Sequence, residues 1–267
     1  MTDDTTSTYE FDQFTEDVQE EEWERLRVQA TILFKKELDA LKRCGLEGEQ
    51  HVLELGCGPG YLSEQLALHT PHTITGLDYS AQFVARAQEQ IAPKHSQLSF
   101  VQGSITEMPF EDNQFDFAYA RLLFQHLPDP SAALSEVLRV LKPGGRLCIM
   151  DVDDGWWYIQ PSPPSVDALL ALAAEGQSRS GGDRRISRRL PALFSDVGFE
   201  QVGMECSGVT TLELPLPMFL HITTSFKQHI SDSPEAAKHT QAIEAFCAEQ
   251  EVFGAVGIFF TYGNKPG

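Results

Sequence analysis

The chain has 267 residues, of which 42% are hydrophobic and 22% are charged, and it carries a formal net charge of -19 at pH 7. This composition is ordinary for a globular protein and excludes a fibrous or largely disordered chain. A surface this acidic repels phosphate backbones and anionic lipids, so we expect neither a nucleic acid nor a membrane as a partner.

The cysteines and the apolar segments indicate the cellular compartment. The five cysteines are scattered and none belongs to a Cys-x-x-Cys pair, so we predict neither a disulfide framework nor a metal site. No apolar run reaches the roughly 18 residues of a membrane span, and the chain does not begin with a basic, apolar leader. We therefore expect a cytoplasmic protein with reduced thiols.

The first predicted elements are helical. Residues 16–42 contain no glycine or proline, and their apolar side chains recur mostly at steps of three and four. This spacing predicts one or two amphipathic helices. We expect residues 1–44 to form an N-terminal helical cap, or lid.

Short strands and helices then alternate along the chain. The predicted strands are residues 51–55, 73–77, 98–102, 115–120 and 146–151, with helices at 61–68, 80–91 and 131–141. Ser80 and Ser131 are the predicted caps of two of these helices, and residues 142–145 are a predicted tight turn. Such alternation predicts a parallel sheet with right-handed crossovers and helices on both faces.

The later part of the chain adds two strands and more helices. Helices are predicted at about 165–175, 185–196, 217–230 and 234–252, and strands at 199–206 and 255–262. The predicted fold class is α/β, with a seven-stranded sheet. We expect one core over residues 45–208, completed by a final strand in 253–267 and interrupted by a helical insertion over 209–252.

The sharpest motif is a glycine-rich loop between the first strand and its helix. It reads Glu-Leu-Gly-Cys-Gly-Pro-Gly over residues 54–60. Sheets of this class bind ligands at the carboxyl ends of their strands. A dinucleotide site needs Gly-x-Gly-x-x-Gly, whereas here the third glycine comes one position early and Glu54 would oppose a pyrophosphate. A phosphate-free ligand with a cationic amino group fits better, and Asp78, at the end of the second strand, is placed to take ribose hydroxyls.

Further motifs follow in a fixed order. They are residues 54–60, 76–80, 103–110, 115–117, 127–130 and 141–146. In order and spacing they resemble the class I S-adenosylmethionine-dependent methyltransferases, and most closely the bacterial small-molecule branch. The resemblance covers about residues 45–208 and 253–266. It implies a Rossmann-like, mostly parallel sheet and S-adenosylmethionine as cofactor, with S-adenosylhomocysteine as product.

The resemblance also implies a set of cofactor contacts. Glu54 would stand near the methionine end, Asp78 would bind the ribose, and Ser104 replaces an aspartate that is common in the family. From their position ahead of the first strand, Tyr9 and Phe11 are expected to close the site and Gln29 to reach the methionine carboxylate. The predicted cofactor-binding residues are Tyr9, Gln29, Glu54, Gly56, Cys57, Gly58, Gly60, Asp78, Tyr79, Phe83, Gly103, Ser104, Ile105, Ala120, Arg121 and His126.

Methyl transfer depends mainly on aligning the nucleophile with the methyl group, so the sequence need not contain an obvious catalytic residue. His126 and Asp151 are the catalytic candidates, each following a strand at the active edge. His126 could take a proton or merely pack beneath the cofactor. Asp151, Asp153 and Asp154 could orient a substrate or form a solvated acidic turn.

Candidate substrate contacts come later in the chain. An aromatic cluster could form a wall of the site or pack against the core, and two residues of the insertion could select the substrate. These candidates are Trp156, Trp157, Tyr158, Phe219 and His221. A basic cluster could hold a substrate carboxylate or form a solvated face, and it comprises Arg179, Arg184, Arg185, Arg188 and Arg189.

These observations lead to one main expectation. The chain is expected to be a methyltransferase of secondary metabolism that transfers a methyl group to O, N or C of a small-molecule metabolite, as a monomer or homodimer. One alternative keeps the fold and the cofactor but is a cyclase or isomerase in which the cofactor is structural. The other is a non-catalytic, cofactor-binding regulatory protein.

Overall fold

A seven-stranded sheet organises the part of the chain that the computed structural model describes, residues 16–231 and 233–267. The strands are β1 (His51–Leu55), β2 (Thr73–Asp78), β3 (Leu98–Gln102), β4 (Phe115–Arg121), β5 (Leu141–Gln160), β6 (Glu200–Thr210) and β7 (Phe253–Asn264). Their order is β3-β2-β1-β4-β5-β7-β6. β7 is antiparallel to both of its neighbours, and the other strands share one direction. The predicted Rossmann-like, mostly parallel sheet is confirmed.

Helices precede, connect and interrupt these strands. They are α1 (Glu16–Ile32), α2 (Phe34–Arg43), α3 (Tyr61–His69), α4 (Ala81–Gln90), α5 (Pro130–Val140), α6 (Ser165–Arg179), α7 (Leu190–Val197), α8 (Leu216–Ile230) and α9 (Pro234–Glu249). Within residues 16–231 and 233–267, two helices precede β1 and two more lie between β6 and β7. The predicted N-terminal helical cap and the helical insertion before the last strand are therefore present.

The sheet is buried on both faces because alternate side chains of its central strands enter different clusters. Phe117 and Tyr119 of β4 pack in one hydrophobic cluster, whereas Ala118 and Ala120 pack in the other. α2, α3 and α4 contribute to the first cluster, and α5 and α7 to the second. Such two-sided burial explains why β1 and β4 read as nearly continuous apolar runs.

The two predicted helix caps have different outcomes. The hydroxyl of Ser80 accepts a hydrogen bond from the backbone N–H of Phe83, which confirms the predicted cap of α4. The prediction that Ser131 caps α5 is wrong. Asp129 takes that role because its carboxylate accepts from the N–H groups of both Ser131 and Ala132, and Pro130 occupies a first-turn position that needs no donor.

The fifth strand is much longer than its sequence pattern predicted. It includes the predicted turn at 142–145, which the pairing with β4 skips between Leu141 and Arg146, and it runs past Asp151. Residues 153–158 therefore belong to the strand and not to an acidic loop. The reason is its pairing with β7, which resumes at Trp157 opposite Val256 after an irregularity that follows Val152. Backbone pairing with β7 thus holds Trp157 and Tyr158 in the sheet, whereas residues 153–156 lie in the irregularity between the two paired stretches.

None of the helices in residues 16–231 and 233–267 combines the length and the hydropathy that a membrane crossing requires.

Candidate active site

A cavity of about 490 Å³ lies at the carboxyl ends of the central strands. Parallel pairing places Leu55 of β1 between Leu77 of β2 and Ala120 of β4, so the segments that follow these strands meet at one edge of the sheet. These segments form one wall of the cavity, and side chains of α1 and α8 form other parts of it. The fold therefore brings together residues that are far apart in the sequence.

The glycine loop contributes its backbone to the cavity. Gly56 and Gly58 both line it and have positive φ angles, 64° and 53°, which glycine adopts without strain. A Cβ atom added to Gly58 would meet nothing within 4 Å, so the loop opens onto free space there. Gly60 differs, because a Cβ at that position would lie 2.8 Å from the ring of Phe100 and the residue is not part of the cavity wall. It serves packing at the start of α3.

Asp78 connects the end of β2 to this loop. Its Oδ2 accepts a hydrogen bond from the backbone N–H of Gly58 over 2.8 Å, and its Oδ1 accepts from the N–H of Ser80 over 2.9 Å. The carboxylate lines the cavity and is half-buried. Backbone donors thus fix an anionic acceptor at the position where the sequence predicted ribose recognition.

Glu54 supplies a second carboxyl group to the same wall. Its side chain is 2% exposed, lines the cavity and accepts a hydrogen bond from the hydroxyl of Ser63. Burial raises the pKa of Glu54 to about 8, although the Ser63 hydrogen bond acts in the opposite direction. A buried carboxyl group beside a cavity is a suitable partner for a cationic amino group. This chemistry fits the methionine end of the expected cofactor.

A buried network ties the N-terminal helices to β4. Arg121 donates through Nε to Glu37 Oε2 over 3.1 Å and through Nη2 to the carbonyl of Gln29 over 2.9 Å. The hydroxyl of Tyr119 donates to the other carboxylate oxygen of Glu37. Arg121 and Gln29 both line the cavity, whereas Ala120 is fully buried and does not. The network therefore fixes α1 and α2 against the site.

Other predicted cofactor contacts line the same cavity. Phe83 receives an edge-on contact from Trp23 of α1, with ring centroids 5.2 Å apart. Ser104 shares a hydrogen bond of 2.8 Å with the hydroxyl of Thr106. The predicted cofactor residues that line the cavity are Gln29, Glu54, Gly56, Cys57, Gly58, Asp78, Tyr79, Phe83, Gly103, Ser104, Ile105, Arg121 and His126. Tyr9 and Phe11 lie outside the described residues.

A polar cluster, formed by Gln125, Asp154, Arg184 and Lys227, lies in another part of the wall. Arg184 donates to both oxygens of Asp154, over 2.8 and 2.9 Å, and to Gln125 Oε1 over 2.5 Å. Lys227 Nζ lies 3.2 Å from Asp154 Oδ1. Burial alone would raise the pKa of Asp154, but Arg184 and Lys227 hold it well below its usual range. Burial lowers the pKa of Lys227 to about 8.

His126 lies beside this cluster as a neutral imidazole. The side-chain amide of Gln177 donates to the carbonyl of Gln125 and, over 3.0 Å, to Nδ1 of His126, an arrangement that assigns the ring proton to Nε2. Burial lowers the pKa of His126 to about 3, and the charges of Arg184 and Arg25 add to that effect. The ring is therefore a hydrogen-bond donor at neutral pH.

Asp151, the other catalytic candidate, is fully buried and is not part of the cavity wall. Its oxygens accept from the backbone N–H groups of Gln125 and Val152, over 3.1 and 2.9 Å. Burial raises its pKa to about 7 in spite of these hydrogen bonds. Its neighbour Asp153 is ion-paired with Arg188, so neither carboxylate forms part of a solvated turn.

The predicted substrate residues do not line the cavity. Trp156 and Tyr158 are about half exposed, Phe219 is fully buried and His221 is exposed. Trp157 is buried, with Lys227 Nζ 5.2 Å from the centroid of its ring. The face of α8 that lines the cavity instead comprises Ile222, Thr223, Phe226 and Lys227. In the sequence, this face could have been recognised from a lysine that interrupts the apolar stripe of a predicted helix.

Known proteins resemble this chain in sequence. A family model described as a methyltransferase domain matches residues 53–149. The demethylmenaquinone methyltransferase of Lactiplantibacillus plantarum is 31% identical over 173 residues, a match that covers 59% of this chain and 73% of that protein. Methyltransferase phqN of Penicillium fellutanum is 30% identical over 190 residues, covering 70% of this chain and 57% of that protein. The chain thus spans little more than half the length of the fungal relative.

A solved structure resembles the fold. Phosphoethanolamine N-methyltransferase 2 of Haemonchus contortus, in complex with phosphomonomethylethanolamine and S-adenosylhomocysteine, matches with a TM-score of 0.64. The match has 19% sequence identity and covers 97% of this chain and 61% of that chain. At this identity the likeness concerns the fold alone.

Proposed function

Because the chain belongs to the class I S-adenosylmethionine-dependent methyltransferases, we propose that it transfers a methyl group to an oxygen, nitrogen or carbon atom of a small-molecule metabolite. Its cofactor is S-adenosylmethionine. The observation that carries the proposal is one cavity whose wall contains the glycine loop, Glu54 and Asp78 together with the apolar and polar face of α8. Cofactor recognition and a selective surface for an acceptor thus share one cavity.

We propose how the chain holds the cofactor. Asp78 accepts hydrogen bonds from the ribose hydroxyls, and Glu54 faces the amino group of the methionine portion. The open space above Gly58 lets the ligand approach the loop backbone closely. Tyr79 and Phe83 provide the surface for the adenine ring. Bound S-adenosylmethionine supplies an electrophilic methyl group at its sulfonium.

The protein's part in the transfer is to position the acceptor and exclude water. α1 and α8 both contribute side chains to the cavity wall beside the sheet. His126, neutral and protonated at Nε2, would orient the acceptor by donating a hydrogen bond. In this proposal Asp151 supports the backbone of Gln125 beneath the site and does not touch the acceptor.

The segments of the chain have different proposed roles. We propose that residues 1–44 act as a cap, that 45–208 with 253–267 form the cofactor-binding core, and that 209–252 select the substrate. The support is that Gln29 of α1 and Lys227 of α8 line the cavity on elements outside that core.

A methyl-transfer assay tests the proposal. The protein would be incubated with S-adenosylmethionine carrying a labelled methyl group and with phenols, amines and activated carbon acids, and the extracted products would be counted. We expect one S-adenosylhomocysteine for each labelled product. If the protein binds the cofactor but no acceptor becomes labelled, the cyclase or the regulatory alternative is favoured instead.

A further inference from the structure

Two cations converge on one carboxylate in the cavity wall. Lys227 comes from α8, Arg184 from the segment after α6, and Asp154 from β5. Both cations contact the same carboxylate at 2.8 to 3.2 Å, and each of the three side chains is only 5% exposed. The site is therefore an assembled and desolvated cluster, unlike the remaining arginines of residues 179–189, whose side chains are at least partly exposed.

The charges in this cluster do not balance. Among the described residues that line the cavity, Asp154 is the carboxylate that faces Lys227 and Arg184, since Glu54 and Asp78 contact the glycine loop and α3 instead. Asp151 lies beneath the wall, where its oxygens accept from backbone N–H groups and its charge also acts on Arg184. With a pKa of about 7 it is only partly ionised at neutral pH, so Lys227 and Arg184 still outweigh the negative charge around them. His126 is neutral, and Arg25 is ion-paired with Glu22. Burying a surplus positive charge is costly unless an anion accompanies it.

Hydrogen-bond donors also exceed the acceptors. Within residues 16–231 and 233–267, Lys227 Nζ has two acceptors, the carbonyl of Thr223 and Asp154, for its three N–H groups. Arg184 has acceptors for three of its five N–H groups. The cluster thus offers both charge and donors, the requirements for binding an oxyanion.

An apolar surface adjoins the cluster. The guanidinium carbon of Arg184 lies 5.8 Å from the centroid of the Phe226 ring. The apolar side chains of Ile222, Val256 and Ile258 also line the cavity. Resting on the methyltransferase function proposed above, we propose that the methyl acceptor is a small molecule with an apolar body and an anionic carboxylate or phosphate group, and that Lys227 and Arg184 bind that group.

The experiment uses the full chain saturated with S-adenosylhomocysteine. Ligand-observed NMR titrations would compare benzoate and hexanoate with benzamide and hexanamide, and phenyl phosphate would distinguish phosphate from carboxylate recognition. We expect the better carboxylate to bind at least tenfold more tightly than its amide, or phenyl phosphate to bind at least tenfold more tightly than benzamide. Lys227→Met, which removes the charge but keeps an apolar stem, should abolish most of that difference. Lys238→Met, on the exposed surface of α9, should leave it unchanged.

Each outcome is decisive. Equal binding of all the anions, phenyl phosphate included, and the amides, binding of no anion at all, or an unchanged preference in a folded Lys227→Met variant would overturn the proposal. If that variant does not fold, the comparison of acids with amides on the unaltered chain still decides the matter. The binding of S-adenosylhomocysteine alone is measured separately by calorimetry. A protein that does not bind it would contradict the proposed function, whereas a protein that binds it but shows no preference for anions would contradict the anion site alone.

Discussion

Asp78 and Gly58 are joined by a hydrogen bond of 2.8 Å from the backbone N–H of the glycine to the carboxylate. The bond connects the end of β2 to the loop that follows β1, so the predicted ribose acceptor and the predicted cofactor loop keep a fixed relative position. Because Asp78 also accepts from Ser80 at the cap of α4, one side chain organises three segments of the cavity.

Replacing this carboxylate should weaken cofactor binding. For Asp78→Ala we expect the affinity for S-adenosylhomocysteine to fall about 10- to 100-fold, because a charged hydrogen-bond partner contributes roughly 1.5–3 kcal/mol. Isothermal titration calorimetry measures the change. Asp196→Ala, at an exposed position of α7, is the matched control and should bind normally. An Asp78→Ala protein that binds as tightly as the control would contradict the ribose assignment.

The glycine loop allows a test of close ligand approach. Gly58→Ala should destabilise the fold by about 1–2 kcal/mol, since an L-residue is strained at positive φ, and should also weaken cofactor binding because the methyl group enters the cavity. Gly144→Ala is the control, with a φ of 76° and equally open surroundings away from the cavity. Chemical denaturation should show similar losses for both variants, while calorimetry should separate them. Equal cofactor affinity in the two would argue against contact at Gly58.

Glu54 predicts proton release on cofactor binding. Its pKa of about 8 keeps the carboxyl group protonated at pH 7, and a cationic amino group would stabilise the ionised form. Binding at pH 7 should therefore release up to one proton, and the release should diminish above pH 8, where the group is already ionised. Calorimetry in buffers with different ionisation enthalpies measures it. The release should be smaller in Glu54→Gln; the same release from both proteins would rule Glu54 out as its source.

The Glu37 network predicts a large stability effect. Glu37→Gln would leave the guanidinium of Arg121 buried without its carboxylate, which we expect to lower the free energy of unfolding by about 3–5 kcal/mol. Glu24→Gln breaks a pair between exposed side chains on α1 and should have little effect. Urea denaturation of both variants tests the difference. Similar stabilities would show that Arg121 finds another partner.

Because His126 is buried and neutral, we expect it to make the stability of the fold depend on pH but not to affect the pH dependence of the methyl-transfer rate near neutrality. Its folded-state pKa of about 3 lies below the ordinary 6.5, so protonation favours unfolding as the pH falls below about 6.5. His126→Gln should lack this acid-induced loss, which denaturation at pH 7.5 and pH 5 would reveal. Between pH 6 and 8 the variant's rate profile should keep its shape. A step that disappears with the histidine would instead identify a general base.

Local sequence patterns were sufficient to predict the side of the cavity formed by the glycine loop and Asp78. The bounds of β1 and β3 match their predicted ranges because apolar runs between turn residues define such strands well. The glycine loop and Asp78 follow directly from strand ends, and parallel pairing then brings them together.

The other side of the cavity depends on contacts that are distant in the sequence. The length of β5 depends on its pairing with β7, so it could not be predicted from residues 141–160 alone. Arg184 differs from neighbouring arginines by its burial against Asp154, which the sequence does not show. Lys227 lies on a helix whose orientation fixes which side chains enter the cavity, and the candidates Phe219 and His221 lie on faces of α8 that do not line it.

β7 pairs with both β5 and β6, which do not pair with each other. During synthesis on the ribosome, β6 thus has no neighbour among the described strands until residues 253–264 have emerged. α8, which supplies Lys227, is made before β7, whose Val256 and Ile258 also line the cavity, so the cavity wall is completed only after β7 has been made.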